Sequence, residues 1–295
     1  MRFFSRMLIC LLFVILTNSA ISQTQNTFCP LVNKSVAVAG GSISYLEGGH
    51  GKPILLLHGL FAQKEQWMEV GCAIASEGFD VIAPDLPGYG ASNGYSVTVY
   101  PLDVQVQVLH ELILQLGKGR IHIAGSSMGG TIAALYANQY PSEVETLAFI
   151  GAPLGVVGWS PQVKQAIFQG VNPFIPINEK QFDLEMQLLF FKPPPIDESV
   201  KAKLVQEYVE NNRHYQQVWD IVNFYDHSLD NMAANSSRTL VLWGEQDGIF
   251  SVEGLRNIKK GFTNSQIVQF PDAAHLLMLE QPKKVVKVYG DFLRE

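Results

Sequence analysis

Short, unbroken apolar runs alternate along this chain with stretches of helical period. "PILLLHG" (53–59), "FDVIAPD" (79–85), "RIHIAG" (120–125), "ETLAFIGA" (145–152) and "RTLVLWG" (238–244) are continuous apolar segments closed by glycine, aspartate or a turn. Segments of this kind predict strands buried on both faces of a sheet. Helical spacing lies between them. Leu102, Val106, Leu109, Ile113 and Leu116 mark one face of a helix over 98–116. Further helices are expected at 67–77, at 129–140 where Pro141 stops it, near 252–261 and at 281–293. "SVAVAGGSISYLEGG" (35–49) predicts two strands joined at Gly40-Gly41, and "SQIVQF" (265–270) a final strand. Strand and helix in alternation specify an α/β class with a mostly parallel sheet flanked by helices.

The rhythm breaks over residues 155–235. This segment is rich in aromatics, among them Trp159, Phe174, Phe182, Tyr208, Tyr215 and Trp219, and carries "KPPP" at 192–195. It predicts helices with no strand between them. The expected organisation is an α/β core at 23–154 and 236–295, interrupted by a helical cap at 155–235.

Composition narrows the function classes. Of 295 residues, 47% are hydrophobic and 16% charged, an ordinary balance for a chain with a substantial core. The formal net charge is −6 and no stripe of Lys and Arg is present, which argues against a nucleic-acid partner.

Residues 1–22 stand apart. Arg2 and Arg6 flank an apolar run from Met7 to Leu16, followed by the small residues Ser19, Ala20 and Ser22. That is the pattern of a secretory signal peptide cut before Gln23, implying a secreted or periplasmic protein. The run is well short of the roughly 20 residues that span a bilayer. The alternative is an uncleaved anchor at 7–16, with membrane-surface contact there or through the cap. Removing 1–22 takes away both arginines, no acid and Cys10, which brings the net charge to −8. Cys29 and Cys72 remain. They either form a disulfide in an oxidising compartment or stand as a terminal thiol and a buried helix residue. No CxxC or Cys/His cluster implies a metal, and no cofactor is expected. Asn33-Lys34-Ser35 and Asn235-Ser236-Ser237 match the glycosylation pattern of a eukaryotic secretory pathway.

The chemistry centres on "IHIAGSSMGG" (121–130). G-x-S-x-G fits in one register only, Gly125-Ser126-Ser127-Met128-Gly129, with Ser127 at its centre. The motif lies between a predicted strand and a predicted helix. A chain turning that sharply strains its central residue and needs small neighbours, and the helix start offers free N–H groups to a developing oxyanion. Ser126 is then a small filler.

A serine needs a base. His275, in "FPDAAHLLMLEQP", follows the last predicted strand at the sheet edge where α/β sheets bind ligands. His50 fits a solvated turn, His58 a loop-shaping role, and His110 and His122 structural roles. His214 and His227 fall in the insertion. The base needs an orienting acid. Asp247 follows a strand end, whereas Glu245 is too close to that end and Asp272 too close to His275. Leu60, in "HGLFA" (58–62), and Met128 are candidate oxyanion donors through their backbone N–H groups, and Phe61 is a candidate lining residue.

The order Ser127, Asp247, His275, with "LLLHGLFAQKEQW", "VIAPDLPGYGAS", "LVLWGEQD" and "AAHLLMLEQP", resembles the α/β-hydrolase superfamily over nearly the whole mature chain. "SMGG" and "YPSEV" are similar to its monoacylglycerol lipase and bacterial lipase/esterase branch. The resemblance implies the same triad, the same oxyanion donors and a cap at 155–235. One departure is Ala274, where the family often has glycine. The expected function is hydrolysis of carboxylic esters, with a small ester or lipid as substrate. The alternatives are hydrolysis of carbon–carbon bonds, which an arginine at the pocket would favour, and ligand binding on an inactive scaffold.

Overall fold

A computed structural model describes residues 29–225, 228–229 and 235–295. The expected leader or anchor, Cys10 and His227 lie outside the described residues. Eight strands form one sheet: β1 (Val32–Val38), β2 (Gly41–Gly49), β3 (Pro53–Leu57), β4 (Asp80–Pro84), β5 (Ile121–Gly125), β6 (Val144–Ile150), β7 (Thr239–Gly244) and β8 (Ser265–Phe270). Their spatial order is β1-β2-β4-β3-β5-β6-β7-β8. β1, β2 and β4 pair antiparallel, and the remaining neighbours pair parallel. β5 and β7 are buried at every position, as expected for central parallel strands covered on both faces.

Helices cover both faces. They are α1 (Met68–Ser76), α2 (Leu102–Gln115), α3 (Met128–Gln139), α4 (Pro161–Phe168), α5 (Glu179–Leu189), α6 (Glu198–Glu210), α7 (Asn212–Val222), α8 (Leu255–Gly261), α9 (Leu277–Glu280) and α10 (Pro282–Arg294). One face of the sheet packs on α2 and α3 through Val106, Leu109, Ile132 and Tyr136. The other packs on α1 and α10 through Val70, Ile74, Tyr289 and Phe292, with Trp67 from the 3-10 turn before α1.

The helix expected over 98–116 begins at Leu102. Pro101 supplies the extended residue before it, and Val97–Val99 forms a separate 3-10 turn. The short α9 escaped the sequence pattern because four residues are too few to show a period. The segment between β6 and β7 holds α4 to α7, and Trp159 forms an isolated antiparallel bridge with Phe250. Cys29 and Cys72 are joined by a disulfide, which ties the start of the described chain to α1. Closing a loop of 43 residues contributes about 4 kcal/mol by the chain-entropy account. Among the described residues no helix is long and apolar enough to cross a membrane.

Candidate active site

The turn from β5 into α3 carries Ser127 with φ 51° and ψ −120°. Ser127 and Phe61 are the non-glycine residues with positive φ among the described residues. Such a backbone persists only where its surroundings fix it. Here the Ser127 carbonyl accepts from Leu154 N at 3.2 Å and Thr131 N at 3.2 Å. The small neighbours are a steric requirement. A Cβ on Gly125 would sit 2.2 Å from the Gly129 backbone, and one on Gly129 would sit 2.3 Å from the Leu57 carbonyl oxygen. Strand and helix therefore approach closely only because both positions lack side chains. Ser126 turns away, with its Oγ fully buried and without a hydrogen-bond partner.

His275 lies on the loop after β8, and Asp247 on the loop after β7. His275 Nδ1 is 2.9 Å from Asp247 Oδ2, and both side chains are buried. A carboxylate can only accept, so Nδ1 donates and Nε2 is left as the basic nitrogen. Asp247 is held in turn: its Oδ1 accepts from Ile249 N at 2.8 Å and Phe250 N at 3.0 Å. The competing acids Glu245 and Asp272 are exposed. The His275 loop is pinned from the inserted helices. His275 N and Leu276 N both donate to the carbonyl of Leu189, the last residue of α5, at 3.1 and 3.2 Å. Glu280 adds a clamp that sequence reasoning missed. Its Oε2 accepts from Ala274 N at 2.7 Å and its Oε1 from Phe191 N at 2.8 Å. Burial pushes the Glu280 carboxyl above the usual range.

The loop after β3 supplies the other side. His58 is fully buried and bonds in both directions. Nδ1 donates to Gly59 O at 2.8 Å, while Nε2 accepts from Leu86 N at 3.0 Å. Burial holds its pKa down to about 4, so the neutral ring shapes this loop, as expected from the sequence. Gln66, which the pattern did not single out, accepts from Gly59 N at 2.9 Å. Lys64 and Asp85 form a buried ion pair at 2.7 Å that ties the segment after this loop to the chain following β4. The N–H groups of Leu60 and Met128 enter no hydrogen bond with another described residue and remain available as donors.

These loops meet at one cavity of about 130 Å³. Ser127, Met128, Leu60, Phe61 and His275 line it together with Trp159, Phe182, Met186 and Tyr215 from the inserted segment. Its surface is mostly apolar. Trp159 stacks on Phe250 at 5.0 Å between ring centres, and Phe250 lies 5.7 Å from the His275 ring. Phe61 meets Tyr215 edge to face at 5.0 Å. His214 lies in the neighbouring cleft, where its Nε2 donates to Gly88 O at 3.0 Å. His110 stacks on Tyr140 and His122 bonds Thr146, both in structural settings. Arg213 is exposed and does not line the cavity, so nothing there favours carbon–carbon bond hydrolysis.

Comparison with known proteins agrees with this architecture. The chain is 29% identical over 283 residues to Lipase 1 of Psychrobacter immobilis, covering 94% of this chain and 88% of that protein. It is 29% identical over 258 residues to monoacylglycerol lipase ABHD6 of Homo sapiens, covering 83% of this chain and 76% of that protein. Among solved structures it is similar to a membrane phospholipase A, a bacterial virulence factor, with TM-score 0.82 and 26% identity over 98% of this chain and 92% of the other. A putative lipase from Acinetobacter baumannii matches with TM-score 0.77 and 26% identity over 97% and 95% of the two chains. The model of the alpha/beta hydrolase fold matches residues 52–282, and the chain belongs to that family.

Proposed function

We propose that this protein is a serine hydrolase of carboxylic esters, with a lipid-like ester as substrate. The observation that carries this reading is one cavity lined by a strained Ser127 and by His275, whose ring is bonded at 2.9 Å to a buried Asp247. Ser127 Oγ attacks the ester carbonyl as His275 Nε2 takes its proton. Asp247 holds the tautomer and steadies the imidazolium. The tetrahedral oxyanion accepts from the free N–H groups of Leu60 and Met128, each such donor contributing about 10²–10³ in rate. Collapse expels the alcohol with the proton returned by His275. Water, activated by the same ring, then cleaves the acyl-enzyme.

Residues 155–235 act as a cap over the acyl chain, which the apolar lining of the cavity supports. The similarity to lipases of Psychrobacter immobilis and Moraxella favours an ester with a hydrocarbon acyl group. The Cys29–Cys72 disulfide and the leader-like residues 1–22 support export to an oxidising compartment. A fluorophosphonate probe tests the reading. Wild-type protein is expected to label at Ser127 and Ser127→Ala to lose both label and esterase activity. Folded wild-type protein that takes no label would overturn it.

A further inference from the structure

The cavity wall formed by the inserted helices contains a group the ester mechanism does not use. Glu185, on α5, is only 5% exposed and lines the same cavity as Ser127 and His275. Its Oε1 accepts from the Tyr208 hydroxyl on α6 at 3.2 Å, while its Oε2 is buried with no hydrogen-bond partner. Neither lysine nor arginine lines the cavity to compensate a charge there. The titratable groups on the same wall are Tyr208, Tyr215 and Glu207, none of them cationic at neutral pH, and His275 lines the cavity from the core side, bonded to Asp247.

A carboxylate so placed is strongly disfavoured, and burial raises the Glu185 pKa to about 8. At neutral pH the group is a carboxylic acid. Because Oε1 already accepts from Tyr208, the acid proton resides on Oε2, where it lacks an acceptor. Leaving a buried donor unpaired is costly, and an acid amid aromatic and aliphatic side chains would otherwise be better replaced by an apolar residue. The terminal carboxyl torsion is broad, so a small rotation turns the donor to the cavity.

We propose that Glu185 is a specificity-determining residue, donating a hydrogen bond to an uncharged oxygen that the substrate carries away from its scissile ester. The inference rests on the ester-hydrolase reading above. Its position sets where that oxygen lies. Leu189, whose carbonyl anchors the His275 loop, is four residues further along the same helix, about 6 Å of rise. The substrate class is therefore an ester bearing a hydroxyl several atoms from the reacting carbonyl. The hydroxyl belongs either to a polyol alcohol portion or to the acyl chain.

Two pairs of substrates distinguish these sources and test the proposal. Monodecanoyl glycerol against ethyl decanoate reads the alcohol side. The p-nitrophenyl ester of ω-hydroxydecanoate against that of decanoate reads the acyl side. In one of the two pairs wild-type protein is expected to favour the hydroxylated ester by about tenfold in kcat/KM, the size of one hydrogen bond. Glu185→Leu is expected to bring that ratio to near one, and the isosteric Glu185→Gln, which keeps a donor, to preserve it. The ratio is read within each variant, so a change in the amount of folded protein cancels. Wild-type ratios near one in both pairs, or a preference that survives in Glu185→Leu, would overturn this assignment alone. Folded wild-type protein that turns over none of the four esters would overturn the hydrolase reading and this assignment with it.

Discussion

The cavity has two unlike walls. On the core side, loops after β3, β5, β7 and β8 hold Leu60, Ser127, Asp247 and His275 through backbone geometry and buried hydrogen bonds. On the inserted side, α4 to α7 contribute aromatic and aliphatic side chains and two unpartnered carboxyl oxygens, on Glu185 and Glu207, and the segment's backbone bonds to the core near the cavity run mainly through Leu189 and the Trp159–Ser160 stretch. Phe168 and Phe224, in the inserted segment, are 89% and 85% exposed, whereas the central strands are fully covered. The difference separates two tasks. Reaction chemistry needs atoms fixed to a fraction of an ångström, which loops pinned between strands provide. Selection among substrates needs shape and a few polar contacts, which side chains on packed helices provide.

If that division holds, core-wall substitutions abolish turnover and cap-wall substitutions redistribute it among substrates. Asp247→Asn is the strongest test. It keeps the shape but gives the His275 ring a partner that can bond the wrong tautomer, and kcat is expected to fall about 10⁴-fold with the fold intact. Steady-state kinetics beside a thermal melt would measure both. Activity within tenfold of wild type would show that Asp247 does not orient the base.

The next effect is on stability. Asp85 is fully buried and accepts from Lys64 N and Nζ and from Ala91 N at 2.7–2.9 Å. Asp85→Ala leaves the Lys64 ammonium without its main partner, with Glu65 3.2 Å away as the remaining acid. The expected cost is about 3–5 kcal/mol, seen as a drop in Tm of roughly 10 °C. An unchanged melt would mean that this loop is held by packing rather than by the ion pair.

On the cap wall, Trp159 stacks with Trp219 at 5.4 Å and with Phe250 at 5.0 Å. Trp159→Ala is expected to lower kcat/KM for a decanoyl ester by about tenfold and for a butyryl ester by about threefold or less, since the longer chain loses more buried contact. An equal fall for both esters would place its effect on Phe250 and the His275 ring, blurring the division between the walls.

The same asymmetry governed what could be read from the sequence. The elbow at Ser127 is written in spacing, because Gly125 and Gly129 have no room for a Cβ and a strand must precede and a helix follow. The placement of Ser127, Asp247 and His275 was legible because each follows a strand recognisable in the sequence, the first two buried throughout and the last a partly exposed edge strand. Gln66, Glu280 and Leu189 were not. Their hydrogen bonds run to residues up to 212 positions away, and no local period marks a side chain or carbonyl that serves a distant loop. Glu185 was invisible for a related reason. On its own helix it is one acid in a polar segment, and only packing against Tyr208 makes it buried.

That burial has a pH signature. Glu185 keeps its proton up to about pH 8 in the folded protein, against an ordinary value of 4.5. The native state therefore binds more protons than the unfolded chain between these limits, and stability falls as pH rises through them. Glu207, raised to about 7 by burial, adds a slope of the same sign. Glu185→Gln removes the first contribution only. Melts from about pH 5 to about pH 8 are expected to show a Tm that declines less in the variant than in wild type, by a few degrees. Parallel pH profiles would mean that Glu185 is ionised in the native state.

The smallest effect is the sharpest test of the core wall. Ser126 and Ser127 are adjacent and chemically identical, yet Ser126 Oγ is buried without a partner and lies 3.3 Å from where a Cβ on Gly151 would stand. Ser126→Ala removes an unsatisfied hydroxyl at almost no loss of packing. Its expected cost is about 0.5 kcal/mol or less in stability, of either sign, and less than twofold in kcat/KM. A loss above tenfold in activity at unchanged Tm would mean that the Ser126 hydroxyl takes part in turnover. The fixed geometry at the elbow would then serve two hydroxyls rather than one.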